Sequence, residues 1–154
     1  MRLISWNIAR QDEPWRLLAA DQDVDVALLQ EATAPPDGLD LEVVVGGEWR
    51  LAGWQDRQFS AAVVRCSSRV EVTAEPASTP IEAASAGELA VSRPGSLAVA
   101  TVEGGTLSAP IMVVSAYSAW ERPASASGGG WIYADASAHR LISDLSGLID
   151  RQEG

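Results

Sequence analysis

Apolar positions fall in short runs divided by Gly, Pro and Ser, with helical spacing in two places only. The run Arg2 to Ile8 is compact and apolar and stops at polar residues, which predicts a short strand with Asn7 at its C-terminal end. In Pro14-Trp15-Arg16-Leu17-Leu18-Ala19-Ala20, a proline near the start and apolar residues three and four apart predict a helix. Val24 to Glu31 reads as a second, buried strand with Glu31 at its C-terminal end. Pro35-Pro36 forbids regular structure soon after. The chain opens as strand, helix, strand.

Six shorter β-like runs follow: Leu41 to Val45, Ser60 to Arg65, Val70 to Ala74, Leu89 to Ser92, Ser96 to Glu103 and Ile111 to Tyr117. Only four residues separate Ser60 to Arg65 from Val70 to Ala74, so this pair is expected to form an antiparallel hairpin. Ala61 to Val64 and Ile111 to Ala116 are apolar at consecutive positions, the pattern of a sheet covered on both faces. A Ser-, Ala- and Gly-rich loop ending in Gly128-Gly129-Gly130 leads to the clearest helix. Ala134, Ala138, Leu141, Ile142, Leu145, Leu148 and Ile149 make its apolar stripe, with Asp135, Arg140, Asp144 and Arg151 on its polar side. No internal repeat or domain linker interrupts the series, and 1–154 reads as a single domain.

Composition narrows the function. A chain of 154 residues, 47% hydrophobic, buries roughly two-thirds of its unfolded surface. No apolar run reaches the ~20 residues of a membrane span, and no signal-peptide core follows Met1, so a cytoplasmic protein without a membrane partner is expected. The single Cys66 excludes an internal disulfide and a multi-thiolate zinc site, and it is expected to be a small buried apolar residue. The net charge is −10 and every basic residue is arginine, so broad electrostatic attraction to nucleic acid is excluded while individual phosphates remain within reach. The chain also holds one asparagine, Asn7, and one histidine, His139, so no site that needs two of either is complete here.

The candidate chemistry sits at two strand ends. Ser5-Trp6-Asn7 closes the first strand and Leu29-Gln30-Glu31 closes the second. Asn7 can also be a turn asparagine, and Glu31 a solvent-exposed carboxylate. Taken together, the two motifs resemble the endonuclease/exonuclease/phosphatase superfamily, the deoxyribonuclease-like fold. The resemblance implies an α/β fold, a mixed β-sheet with helices on one face, as half of a four-layer αββα sandwich. It also implies a divalent cation, Mg2+ or Mn2+, held by Asn7 and Glu31. Hard oxygen ligands and a largely hydrated ion suit that pair. Ile111 to Tyr117 looks like the family's central strand, which would make Tyr117 a catalytic hydrogen-bond donor to a phosphate oxygen. Its other reading is an amphipathic core aromatic. Arg93, in Ser92-Arg93-Pro94, is similar to a phosphate-contacting arginine of the deoxyribonuclease branch, or else a solvated turn residue. Arg57, in Asp56-Arg57-Gln58, and His139 are weaker substrate contacts; His139 also faces Asp135 one helical turn away. Trp131-Ile132-Tyr133-Ala134-Asp135 can line a substrate pocket or belong to the core.

The family's Gly-Asp-x-Asn strand and terminal Asp-His pair, which supply the water-activating aspartate and the transition-state histidine, have no counterpart in this sequence. The resemblance covers nearly all of these residues but about half of the family's domain. The implied function is therefore a metal-dependent phosphoester hydrolase, nuclease or phosphatase, incomplete in this chain. Its partners would be a phosphorylated substrate, nucleic acid among the classes, and a homodimer mate or a complementary C-terminal chain covering an open sheet face. The rival reading is a noncatalytic interaction or assembly module.

Overall fold

The computed structural model describes residues 1–47, 49, 59–75, 78–86, 88–118 and 133–152. Arg57, the rest of Asp56-Arg57-Gln58, Gly128-Gly129-Gly130 and Trp131-Ile132 lie outside them. So do the side chains of Tyr133, Ala134, Asp135 and Arg151. The chain is α/β, with two helices and three sheets. Strands β1 (Leu3–Asn7), β2 (Val26–Ala32), β3 (Glu42–Val45) and β4 (Ser60–Arg65) form one sheet in the order β1-β2-β4-β3, with α1 (Glu13–Ala20) between its first two strands. A second sheet has the order β5-β8-β9, from β5 (Val70–Ala74), β8 (Leu97–Gly104) and β9 (Ile111–Ala116). Two three-residue strands, β6 (Ser78–Pro80) and β7 (Leu89–Val91), pair in parallel beside it, and α2 (Tyr133–Gln152) follows β9.

β1 and β2 run parallel, as an intervening helix requires, and the rest of both larger sheets is antiparallel. Side chains alternate cleanly across the strands. Ala61 and Val63 of β4 join Val26 of β2 in a core shared with Val70, Val72, Ala98, Ala100, Val102 and Val113 of the second sheet. Ala62 and Val64 turn the other way, with Ala27 and Leu29, onto Trp15 and Leu18 of α1. On the far side of the second sheet, Leu97 and Val99 meet Leu141 and Leu148 of α2. The continuous apolar run of β4 thus marks a strand buried on both faces, as its pattern predicts, whereas β9 fully buries only Val113 and Ser115, on one face, and leaves Ala116 exposed.

Four expectations are corrected. Ser60 to Arg65 and Val70 to Ala74 are not a hairpin. β4 is already flanked by β2 and β3 and has no free edge, so the four residues between them form a corner that carries the chain into the other sheet. The open inner face expected for a missing half is largely filled: among the described residues β2 and β4 bury theirs against the second sheet, while Leu3 and Ser5 of β1, beside Val26 and Leu28, stay exposed. Asp144 does not point to solvent from α2. It is buried and accepts hydrogen bonds from the Ser92 N–H at 2.9 Å and the Ser92 hydroxyl at 2.6 Å. Meanwhile Ile142 and Ile149, read as part of the apolar stripe, are exposed.

The corner after β4 is pinned by a buried carboxylate. Asp25 accepts from the Arg2 N–H, the Ser67 hydroxyl and the Arg69 guanidinium, each at 2.7 Å. Burial pushes the Asp25 carboxyl up, but these donors and the Arg69 charge outweigh it and hold the group at about 2. A depressed folded-state value stabilises the fold above the ordinary value near 4, and that contribution is lost as pH falls toward 2. Asp25→Asn should therefore cost about 1–3 kcal/mol at neutral pH, since it strands the guanidinium and weakens the turn. Urea melts at pH 7 and pH 2.5 check this. The gap between variant and wild type should shrink at the lower pH, and a gap that is constant with pH counts against the role of the charge.

Candidate functional site

Asn7, Glu31 and Tyr117 stand at the C-terminal ends of β1, β2 and β9, and the two sheets bring those ends together. Ile111, Val113 and Ser115 face the inter-sheet core, so Tyr117, two residues on, points the same way over the end of β2. Its hydroxyl donates to Glu31 Oε1 at 3.1 Å, and Asn7 Nδ2 donates to the same oxygen at 3.1 Å. Asn7 Oδ1 accepts the Ala9 N–H at 2.9 Å, which folds the chain leaving β1 into a tight turn. Below this group, Ser115 Oγ donates to the Leu29 carbonyl at 2.6 Å, and the Gln30 amide donates to Ser5 Oγ and Ser115 Oγ, each at 3.3 Å. These bonds fix the height of β9 against β2.

Strict alternation would send Glu31 to the α1 side, opposite Gln30. A bulge between Leu29 and Ala32 in the pairing with β4 resets the parity, and Glu31 adopts φ of +50°. Both Gln30 and Glu31 consequently face the inter-sheet side, while Ala32 returns to the α1 core. The other described non-glycine residues in the left-handed region are Ala9 at +47° and Arg10 at +63°, both in the turn after β1. Backbone strain is thus concentrated beside the Glu31 carboxylate.

Two residues that the sequence patterns did not single out complete this end. Arg10 places its Nε 3.9 Å from Glu31 Oε2 and its guanidinium 5.7 Å from the centre of the Phe59 ring. The Phe59 ring in turn packs edge-on against Tyr117, 5.6 Å between centroids. A basic residue three positions after Asn7 was the available signal, but nothing in its spacing shows that the turn curls back onto Glu31. Arg93 lies in a small neighbouring pocket, itself buried, together with Tyr117, Ser118, Arg140 and Asp144. The helical pattern places Arg140 only on the polar face of α2. His139, next to it, is exposed and does not line the pocket.

Among the described residues, no three His, Cys, Asp or Glu side chains come together as a metal cluster. Cys66 is not available as a nucleophile: burial, assisted by the Asp21 and Asp25 charges, pushes its thiol up to about 11, and it lies at the opposite end of β2, beside Asp25. No protein-family model, curated protein or solved structure matches the chain.

The left-handed turn gives a stability test. An L-residue in this region costs about 1–2 kcal/mol and glycine does not. Ala9→Gly should therefore raise stability by about 1 kcal/mol, or roughly 2–4 °C in thermal midpoint. Calorimetry that finds no gain would mean the turn is not held in this conformation.

Proposed function

We propose that this end of the two sheets binds a phosphorylated ligand with a divalent cation, as the N-terminal part of a metal-dependent phosphoester hydrolase of the endonuclease/exonuclease/phosphatase type. The observation that carries the reading is the meeting of Asn7, Glu31 and Tyr117 on one carboxylate oxygen, from positions 24 and 86 apart in the chain. Three residues singled out for the same chemistry by their strand-end motifs converge on that one oxygen.

The donor set suits Mg2+ or Mn2+ as a half-site. Glu31 offers a carboxylate whose side chain is 21% exposed, and Asn7 Oδ1 keeps a lone pair beyond the one given to Ala9. Both oxygens are hard donors open to water, which would complete the shell. When bound, the ion would supply Lewis-acid polarisation of the phosphoryl group. Tyr117, shared between Glu31 and the adjoining pocket, would donate its hydroxyl to a phosphate oxygen, while Arg93 and Arg140 of that pocket would hold others through planar forks. In a chain of net charge −10, that pocket carries two arginines against one carboxylate, Asp144, a local balance that favours an anion.

With a single asparagine and a single histidine, these residues bind more than they turn over, because positioned proton transfer contributes roughly 100- to 10,000-fold. The proton-handling groups would come from a complementary C-terminal chain or a homodimer mate. Among the described residues β1 is an edge strand whose Leu3 and Ser5 stay exposed on the inter-sheet side, which makes it a place for such a partner to add. Among the described residues no helix is long and apolar enough to cross a membrane. Isothermal titration with manganese should show weak binding to the chain, lost in Glu31→Gln. Equal binding by that variant refutes the assignment.

A further inference from the structure

The two oxygens of Glu31 are used differently. Oε1 takes both neutral donors, Asn7 Nδ2 and the Tyr117 hydroxyl. Oε2 faces the positive charge of Arg10, at 3.9 Å. An incoming cation therefore finds Oε1 occupied by hydrogen bonds and Oε2 already neutralised. A guanidinium left in place about 6 Å from a divalent ion repels it strongly enough, even in a water-like dielectric, to weaken binding about tenfold.

Arg10 is also built to leave. Its side chain is 60% exposed, and what fixes it is the backbone: φ of +63° and an N–H bonded to the Glu31 carbonyl at 3.0 Å. The Cα is thus held beside the carboxylate while the guanidinium lies over the face of Phe59. Movement off Oε2 keeps the head group within a side chain's length of any anion that accompanies the cation. Its planar fork suits phosphate oxygens better than a single carboxylate oxygen at 3.9 Å.

We propose that Arg10 is a resident stand-in for the divalent cation at Glu31: the cation displaces its guanidinium from Oε2, and the released guanidinium becomes a ligand of the phosphate. The inference rests on the cation reading of Glu31. It makes cation and phosphate binding reciprocally cooperative, since each ligand relieves a contact that opposes the other. Arg10 would then set affinity and coupling as a positioning residue, separate from Arg93 and Arg140 of the adjoining pocket.

The test is manganese binding to the full chain, followed by the paramagnetic resonance signal of the free ion, with and without inorganic phosphate. Wild type, Arg10→Gln, Arg10→Lys and Glu31→Gln are compared. Without phosphate, Arg10→Gln should bind manganese about tenfold more tightly than wild type. Arg10→Lys, which keeps the charge, should stay within about threefold of wild type, separating charge from side-chain size. Phosphate should tighten manganese binding in wild type and do so several-fold less in Arg10→Gln. Loss of binding in Glu31→Gln together with unchanged or weaker binding in Arg10→Gln overturns the role of Arg10 alone. Binding unchanged in Glu31→Gln overturns the cation site and the stand-in with it.

Discussion

Everything at the candidate site depends on how closely two sheets of small side chains approach. Their shared core is valine and alanine: Val26, Ala61 and Val63 against Val70, Val72, Ala98, Ala100, Val102 and Val113. Such residues fill an inter-sheet layer in few rotamers and fix its thickness more tightly than long flexible chains do. At one point the backbones themselves touch. A Cβ on Gly46 would lie 1.8 Å from the Leu97 carbonyl oxygen, and only glycine permits the contact. Around it Gly46 N–H donates to the Ala61 carbonyl, Gly95 N–H to the Gly46 carbonyl and Ala61 N–H to the Gly95 carbonyl, so the sheets are joined by main-chain bonds as well as by packing. With spacing and height fixed, the end of β9 arrives over the end of β2, and Tyr117 reaches Glu31.

The polar groups are sorted by this arrangement. The carboxylates of Asp25 and Asp144 are buried and enclosed by donors, Asp25 at the β4-to-β5 corner and Asp144 where α2 meets the segment after β7. Removal from water is compensated in each case by several hydrogen bonds. Glu31 differs in kind. It keeps solvent access, shares its donors with neighbouring side chains, and sits on strained backbone that packing alone would relax. A residue held that way serves the surface it faces more than the core beneath it.

The strands and helices were legible because burial on both faces writes continuous apolar runs, and nearly every run became an element within a residue or two. Pairing was less legible. Four residues between Arg65 and Val70 suit a hairpin and a sheet-to-sheet corner equally, and the choice is made by Asp25, 40 positions before Arg65, whose bonds to Ser67 and Arg69 turn the chain away. Asp144 shows the same limit on a helix. Its polarity assigns it to the solvent side, and only the Ser92 donors across the fold explain its burial. The three-residue strand at Ser78 is too short to leave a periodic signal.

Glu31 gives the sharpest case, because its motif was legible while its direction was not. Along β2 the period of two puts Leu28 inward, Leu29 outward and Gln30 inward, so it assigns Glu31 outward, to the α1 side. The carboxylate meets Tyr117 only because the bulge adds one residue and φ turns positive. A one-residue slip that flips side chains is ordinarily excluded wherever both faces are buried. Here it occurs at the last turn of the strand, where Ala32 is small enough to re-enter the α1 core after the bulge. The fold thus places this departure from strand geometry where it changes which face a single carboxylate joins, and it sets that carboxylate between an amide, a phenol and a guanidinium.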